Sequence, residues 1–426
     1  MGIRSIEGVY DVLPGGPSSV LRSEAWYEAE ASIRTVMQRF AFGEIRTPVL
    51  EPLELVARGI GEQTDIVAKE MFTLVRGRKQ YVLRPEMTAP VMRAYLQHHM
   101  GQRAGDLRLF YMGPCFRAER PQKGRYRQFH QFGAEILGPT TPQADAEIIV
   151  CMLEVYREVG IGGAVLHINT LGDVESRSRY TMALRDYFAP RERHLSATSR
   201  ERLRTNPLRI LDTKNADERA LVQEAPKLID YVDAASRIHF DVVKQLLVDA
   251  GVTFVEDPLL VRGLDYYMRT AFELQTPSIG AQSALAGGGR YDGLSVSIGG
   301  KKPVPAVGFA AGMERLLLAK EAMGDTGSDE SALDVFLVSL GEAASREVFR
   351  LALRLRRAGL RVTHGLQGRS IKSQMRVANR LRAGHAVIVG DEELSCKQAQ
   401  VKDMNQGTQE RVSFDALSHH LLSHHV

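Results

Sequence analysis

Residues 109–135 read LFYMGPCFRAERPQKGRYRQFHQFGAE, a strand, a basic loop and a returning strand. The first strand ends in Phe116-Arg117. The loop carries Glu119, Arg120, Gln122, Lys123, Arg125 and Arg127, and from Gln128 to Glu135 the side chains alternate. An arginine fixed on a strand presents a planar, permanently charged fork that suits a phosphate or carboxylate, and a basic loop beside it suits a polyanion. Gln131 and Glu135 stand two pleats apart, so they share one face and can grip a small cationic ligand. One hairpin thus has groups for a nucleotide, a small amine and a nucleic acid, although an exposed charged hairpin without a ligand would read similarly.

Outward from this hairpin, the front of the chain reads as short strands separated by helices. Ile33, Val36, Met37 and Phe40 form one helical stripe within residues 20–41, and strands are expected at 81–84, 107–112, 128–137 and 165–170. Hairpin-linked strands interrupted by helices predict an α+β core built on an antiparallel sheet. Between about Gly172 and Gly251 the pattern turns helical and polar, an inserted module that reads either as a spacer or as a contact for RNA. Gly287-Gly288-Gly289 lacks dinucleotide-binding spacing and marks a close approach of backbone to a ligand or strand. A polar, Gly-bearing stretch at 323–331 predicts a linker. Beyond it Asp334–Val338 reads as a buried strand, followed by a helical stripe of Val348, Leu351, Ala352 and Leu355 closed by Gly359. A strand from Leu360, a helix from Ser370 to Arg382 and a strand at Ala386–Val389 complete a small parallel or mixed α/β domain.

Composition sets the outer limits. At 426 residues, two or three domains are expected. No run of 18 apolar residues occurs and the N-terminus lacks a basic region before an apolar core, so neither a membrane span nor a secretory leader is expected. Cys115, Cys151 and Cys396 are few, odd in number and far apart, which predicts reduced thiols in a cytoplasmic protein. The net charge is +4, yet residues 332–426 hold 14 Lys and Arg against 9 Asp and Glu. The positive excess therefore sits at the C-terminal end, as a nucleic-acid footprint or a solvated basic face. The closing run Ser418–His425 reads as a helix end or tail more readily than as a metal site.

The hairpin resembles motif 2 of class II aminoacyl-tRNA synthetases, in the form found in histidyl-tRNA synthetases. Three further stretches match in order: Leu83-Arg84-Pro85-Glu86-Met87-Thr88, Leu260-Val261-Arg262-Gly263-Leu264-Asp265-Tyr266-Tyr267, and Val307-Gly308-Phe309-Ala310-Ala311-Gly312-Met313-Glu314-Arg315-Leu316. The resemblance begins at Gly8-Val9-Tyr10-Asp11-Val12-Leu13-Pro14-Gly15 and covers essentially the whole chain. It implies a class II catalytic domain over residues 1–323, with the helical insertion at about 172–251, and an α/β anticodon-binding domain over 332–426. The activity implied is activation of L-histidine by ATP, with Mg2+, and transfer to the 3′ end of histidine tRNA. The resemblance further implies a cytoplasmic homodimer, paired through the helix around Ala25–Phe40 and a strand at Glu44–Val49.

The resemblance also distributes roles. It assigns Arg117 to the α-phosphate and the substrate carboxylate, Arg315 to the γ-phosphate side, and Arg262 to the place where other class II enzymes put a metal ion. Glu86, Thr88 and Gln131 go to the α-amino group of histidine, Glu135 and Tyr267 to its imidazole, with Tyr266 and Tyr291 lining the pocket. Met87 stands where the family usually has glycine and counts among the substrate-binding positions; pointing inward it narrows the pocket, pointing away only its backbone matters. Ala118 replaces a histidine common in relatives. Arg120, Gln122, Lys123 and Arg127 are placed over the tRNA acceptor end, with Gln122 and Arg127 as candidates to read an extra 5′ guanosine. The activation chemistry needs positioning and fixed cations more than a nucleophilic side chain, and Arg117, Arg262 and Arg315 supply them. Glu314-Arg315 alone would read as a surface ion pair. Two alternatives fit less well. A non-catalytic regulatory subunit of ATP phosphoribosyltransferase generally lacks the C-terminal domain and often the catalytic arginines, and a threonyl- or prolyl-type enzyme would need another pocket motif.

Overall fold

The computed structural model describes residues 3–61, 64, 66–102, 105–213, 215–279, 283–324, 333–365 and 368–423. The stretch expected as a linker lies outside the described residues from position 325 onward, as do the last three residues of the histidine-rich end. The chain divides into two compact units, Met1–Gly327 and Ser328–Val426.

The first unit is organised on an eight-stranded sheet. Its strands are β1 (Gly43–Glu44), β2 (Leu107–Phe116), β3 (Gln128–Leu137), β4 (Val165–Thr170), β5 (Val255–Glu256), β6 (Met268–Gln275), β7 (Ala284–Arg290) and β8 (Ala306–Gly312), in the spatial order β1-β2-β3-β8-β7-β6-β4-β5. The two outermost pairs are parallel and every pair between them is antiparallel. Alternation in β3 divides the faces. Phe132, Ala134 and Ile136 enter a core with the helices Ser23–Arg39 and Pro142–Glu158, through Ile33, Val36, Met37, Ile148, Met152 and Val155. Those helices bury residues at three- and four-residue spacing, the stripe a sheet-packed helix requires. The opposite face presents Gln131, Gly133 and Glu135, and it is the face that carries the polar groups.

Two expectations need correction. The strand expected at Glu44–Val49 is broken: pairing covers only Gly43–Glu44, and the next strand, Leu50–Pro52, joins a separate small sheet with Thr73–Arg76 and Lys79–Leu83. Thr47 and Pro48 cannot continue the ladder, because their carbonyls accept from the buried Arg84 guanidinium at 2.6 and 3.3 Å. The helical block after Gly172 is not one module. Helices Val174–Phe188, Ala197–Thr205 and Ala216–Gln223 share a core on the polar face with Tyr180, Leu184, Phe188, Leu203 and Val222. Helix Ala234–Asp249 instead sends Phe240, Val243 and Leu247 into the core behind the sheet.

That helix also closes a buried charge network. Asp145 and Arg290, both fully buried, pair directly, and Asp145 accepts from Thr270 Oγ1 at 2.5 Å and faces His239 Nε2 at 2.8 Å. Fixing these four ties helix 234–249 to β6 and β7 from behind.

The second unit has a mixed five-stranded sheet: Val362–His364, Leu333–Ser339, Ala383–Val389, Gln398–Asp403 and Gln409–Ser413, in that spatial order, parallel in the first two pairings and antiparallel in the last two. Helix Glu342–Arg357 buries Val348, Leu351, Ala352 and Leu355 against one face, and Ala378 of helix Ile371–Arg380 packs with Phe336 and Val338 on the other. Gly359 takes φ +96° just past the first helix, a left-handed turn that suits glycine.

Candidate active site

A cleft of about 230 Å³ opens on the polar face, where β3, β6, β7 and β8 meet the loop 260–267. Glu86, Thr88, Arg117, Gln131, Arg262, Tyr266, Tyr267 and Arg315 all line it, so four separate stretches of sequence converge. Two glycines make the room. The guanidinium of Arg262 lies against Gly287, where any Cβ would displace it, and the Glu135 carboxylate fills the space that a Cβ on Gly308 would take.

One end of the cleft gathers cations. Arg117 leaves the end of β2 with its Nε donating to the Pro85 carbonyl at 3.0 Å and its guanidinium 5.2 Å over the Phe129 ring. Arg315, on the first turn of helix Met313–Ala322, is held by the carbonyls of Gly124 at 3.2 Å and Ala284 at 2.9 Å. Arg125 pairs with Glu119 at 2.8 Å. Burial first, and then the nearby Arg125 and Arg117, lower the Arg315 pKa. Glu314 does not pair with Arg315, contrary to the simple sequence reading. It is buried and accepts from Tyr10 Oη at 2.6 Å and from the His130 N–H at 2.8 Å. The motif Gly8–Gly15 thereby enters the site: Tyr10 also packs edge-on against Tyr126, which lines the cleft.

The other end is built for a polar ligand. Gln131 sits opposite Gly113 on β2 and Gly312 on β8, so no neighbouring side chain covers it in the sheet. Cys115 Sγ lies 3.5 Å from Gln131 Oε1, and burial pushes that thiol up to about 12, so it serves as a donor and not as a thiolate. Glu86 accepts from the N–H groups of Thr88 at 2.7 Å and Ala89 at 2.9 Å, capping helix Thr88–Gln97 while facing the cleft. Glu135 lies one layer deeper, where Thr88 Oγ1, Tyr111 Oη and Tyr291 Oη donate to it at 2.9, 3.0 and 2.6 Å. Burial raises its pKa to about 8 despite those donors. Arg262 donates to Glu273 at 2.7 Å and lies 5.5 Å over the Tyr267 ring.

Glu135 therefore lies outside the cleft wall, and two further expected pocket residues stand elsewhere. Met87 is buried in the apolar core with Val91, Met92 and Tyr111, its methyl end beside Gly113, because the helix starting at Thr88 turns that side chain away from the cleft. Tyr291 stands behind Glu135 and not in the cleft wall.

Comparison with known proteins settles the kinship. The pattern described as Histidyl-tRNA synthetase matches residues 16–316, and that of an Anticodon binding domain matches 334–424. The chain belongs to the histidyl-tRNA synthetase family. It is 46% identical over 418 residues to the Histidine--tRNA ligase of Chlorobium luteolum, spanning 97% of this chain and 96% of that protein. It is 44% identical over 425 residues to that of Geobacillus kaustophilus, covering 99% and 98%. The apo histidyl-tRNA synthetase of S. aureus superposes with a TM-score of 0.81 at 35% identity, over 99% of this chain and all of that one.

Within this family fold the motif 2 loop divides in two. Arg120, Gln122 and Lys123 are exposed at its tip. Arg127 is not: its Nη1 donates to the Glu7 carbonyl at 3.1 Å and its backbone N–H to Gly8 at 2.8 Å, so it anchors the N-terminal segment. Three polar groups of this histidyl-tRNA synthetase fold escaped the sequence reading: Glu273, Tyr111 and Tyr10. Glu273 carried a signal, a lone carboxylate among the apolar residues Ala271, Phe272 and Leu274. Tyr111 carried a weaker one, sharing the strand face of Gly113.

Proposed function

We infer that the chain activates L-histidine with ATP and transfers it to the 3′ end of histidine tRNA. The observation that carries this reading is the convergence of Arg117, Arg262 and Arg315 on the cleft that Gln131 lines. In the first step a histidine carboxylate oxygen bonds to the α-phosphorus and the bond to the β-phosphate oxygen breaks, releasing pyrophosphate. Arg117 holds the carboxylate and α-phosphate together, Arg262 neutralises the other side of the reacting phosphorus, and Arg315 holds the departing end. This is catalysis by positioning and preorganised charge. In the second step a terminal tRNA hydroxyl attacks the acyl carbonyl and AMP leaves.

Thr88, Glu86 and Gln131 take the α-ammonium, and Glu135 with Tyr267 takes the imidazole. A site that hydrogen-bonds both ring nitrogens rejects apolar isosteres, because its own polar groups would be left unpaired. Mg2+ supplied with ATP would be held from the cleft carboxylates Glu119 and Glu273 and would offset negative charge on the phosphates. Arg120, Gln122 and Lys123 face the acceptor end, the second unit takes the anticodon, and the protein works as a cytoplasmic homodimer. The described residues include no helix long and apolar enough to cross a membrane. The regulatory-subunit alternative is not favoured: the catalytic arginines and the second unit are both present. The test is ATP–pyrophosphate exchange with each amino acid offered singly, without tRNA. Exchange with histidine alone is expected; none with histidine, from folded protein supplied with Mg2+, rejects the activity.

A further inference from the structure

We propose that the helical insertion positions Arg262, through Arg177 and Asn206 acting on Asp265; the proposal rests on the activity inferred above. Arg262 sits in a loop that is fastened on both sides. Before it, the Leu260 carbonyl accepts from Asn169 Nδ2 at 3.0 Å. Three residues after it, Asp265 is gripped by two separate elements of the insertion. Arg177, on helix Val174–Phe188, donates from Nη1 to the Asp265 carbonyl at 2.6 Å and from Nη2 to its Oδ1 at 3.2 Å. Asn206, just past helix Ala197–Thr205, donates from Nδ2 to the same Oδ1 at 3.0 Å. The Asp265 N–H donates to the Ile60 carbonyl at 3.2 Å, and Gly61, at φ +105°, leaves space for the carboxylate, where a Cβ would come within 2.5 Å of Oδ2.

The insertion end of this clamp is itself rigid. Helix Val174–Phe188 leaves directly from β4. Its N-cap Asp173 accepts from the Ser176 N–H at 2.7 Å, and Leu171 and Gly172 exchange backbone bonds with Arg269 at 2.6 and 2.8 Å. Arg177 lies one turn into that helix, so its fork is aimed by the sheet. The seam between insertion and loop is nearly closed. A space of about 20 Å³ remains, bordered by Leu171, Arg177, Asn206, Val261, Arg262 and Leu264, room for about one water. The loop therefore cannot shift without moving Arg177 or Asn206.

Energetically the clamp is modest, since the Arg177 and Asp265 side chains are 27% and 34% exposed and such pairs contribute little alone. Its importance is geometric. The carbonyl and the carboxylate of one residue are held by one fork, which fixes the backbone beyond Arg262, and misplacing a charge by about 1 Å at a reacting phosphorus costs up to about 100-fold. This gives the insertion a role in the tRNA-free half of the reaction, which neither a spacer nor an RNA contact would have.

The experiment is a double-mutant cycle on tRNA-free pyrophosphate exchange, with Arg177→Ala, Arg262→Ala and the pair. Arg177→Ala is expected to lower kcat between about 10- and 100-fold with the KM for ATP unchanged, and to cause no further loss once Arg262 is alanine. Equal fold-losses in both backgrounds, or a near-wild-type kcat for Arg177→Ala, overturns the proposal. If Arg177→Ala does not fold, Asn206→Ala is run through the same cycle with the same criteria. A wild-type protein without histidine-dependent exchange would overturn the activity itself and the inference with it, an outcome distinct from an active wild type with additive losses.

Discussion

The cleft of the first unit and the helical surface of the second both carry arginines, in opposite settings. In the cleft, Arg262 and its partner Glu273 are only 17% and 20% exposed. On helix Glu342–Arg357, Arg346 and Glu342 are 75% and 70% exposed. A charge taken out of water must be held by a built set of partners, and it then acts strongly on whatever enters beside it. A charge left in water is screened, contributes about 0–1 kcal/mol as a pair, and is available to a polyanion. The first arrangement suits chemistry on one phosphorus and the second suits recognition of a long RNA, so losses should be large and salt-insensitive in the cleft and small and salt-dependent on the surface.

The harshest probe of this contrast is Arg262→Ala. We expect histidine adenylation in a single turnover to slow by at least about 10²-fold, the scale for losing one preorganised charge-stabilising group. Part of any loss would come from stranding the Glu273 carboxylate. Glu273→Gln separates the two contributions, because it keeps the cation and removes its partner; its loss should be well under that of Arg262→Ala. A near-wild-type rate for Arg262→Ala would make that arginine structural and remove the distinction between the two settings.

Most of this architecture was legible from residues whose chemistry is tied to spacing. The alternation in 128–135 put Gln131 and Glu135 on one face, and β3 keeps that register along its length. The helical stripe at Ile33, Val36, Met37 and Phe40 located the helix behind the sheet. What was not legible depends on three-dimensional closure. Met87 follows Glu86 immediately, yet the cap that Glu86 makes on the next helix sends the two side chains to different places. Arg127 reads as one more loop cation until the carbonyl of Glu7, 120 positions away, accepts from it. Glu314 looks like a partner for its neighbour Arg315, but the carboxylate is claimed by Tyr10 and His130 from two other segments. Sequence spacing cannot show which distant donor reaches a buried acceptor first.

A gentler probe uses pH. Burial raises the Glu135 carboxyl from an ordinary 4.5 to about 8, so the folded, unliganded protein keeps a proton that the unfolded chain releases. Its contribution to stability is complete below about pH 4.5 and is lost as pH rises through about 8. Glu135→Gln cannot titrate. The difference in Tm, wild type minus variant, should therefore fall by several degrees between about pH 5 and pH 9. Glu86, whose pKa burial also raises, interacts with Glu135, so the same comparison in a Glu86→Gln background isolates the Glu135 contribution. A pH-independent difference would show that Glu135 is ionised in the folded protein throughout, and that its three hydroxyl donors outweigh its burial.

The smallest expected effects lie at the tip of the motif 2 loop, where the contrast between held and free cations runs through a single segment. Arg120 and Lys123 are exposed, so each is expected to raise the KM for tRNA only a few-fold when replaced by alanine. Each replacement should also flatten the dependence of log KM on log salt concentration by about 0.7–0.9 per lost phosphate contact. Arg127 belongs to the same loop in sequence but is partly buried in structure: it is hydrogen-bonded to the Glu7 carbonyl, and its Nε is buried without a hydrogen-bond partner among the described residues. Arg127→Ala should release the segment that carries Tyr10, disturb the support of Glu314 and slow tRNA-free exchange, with little change in the salt slope. Measuring both quantities on the three variants separates the settings. If Arg127→Ala behaves like Lys123→Ala, reducing the salt slope and sparing exchange, then Arg127 leaves the Glu7 carbonyl to meet RNA and the division of the loop into tip and anchor fails.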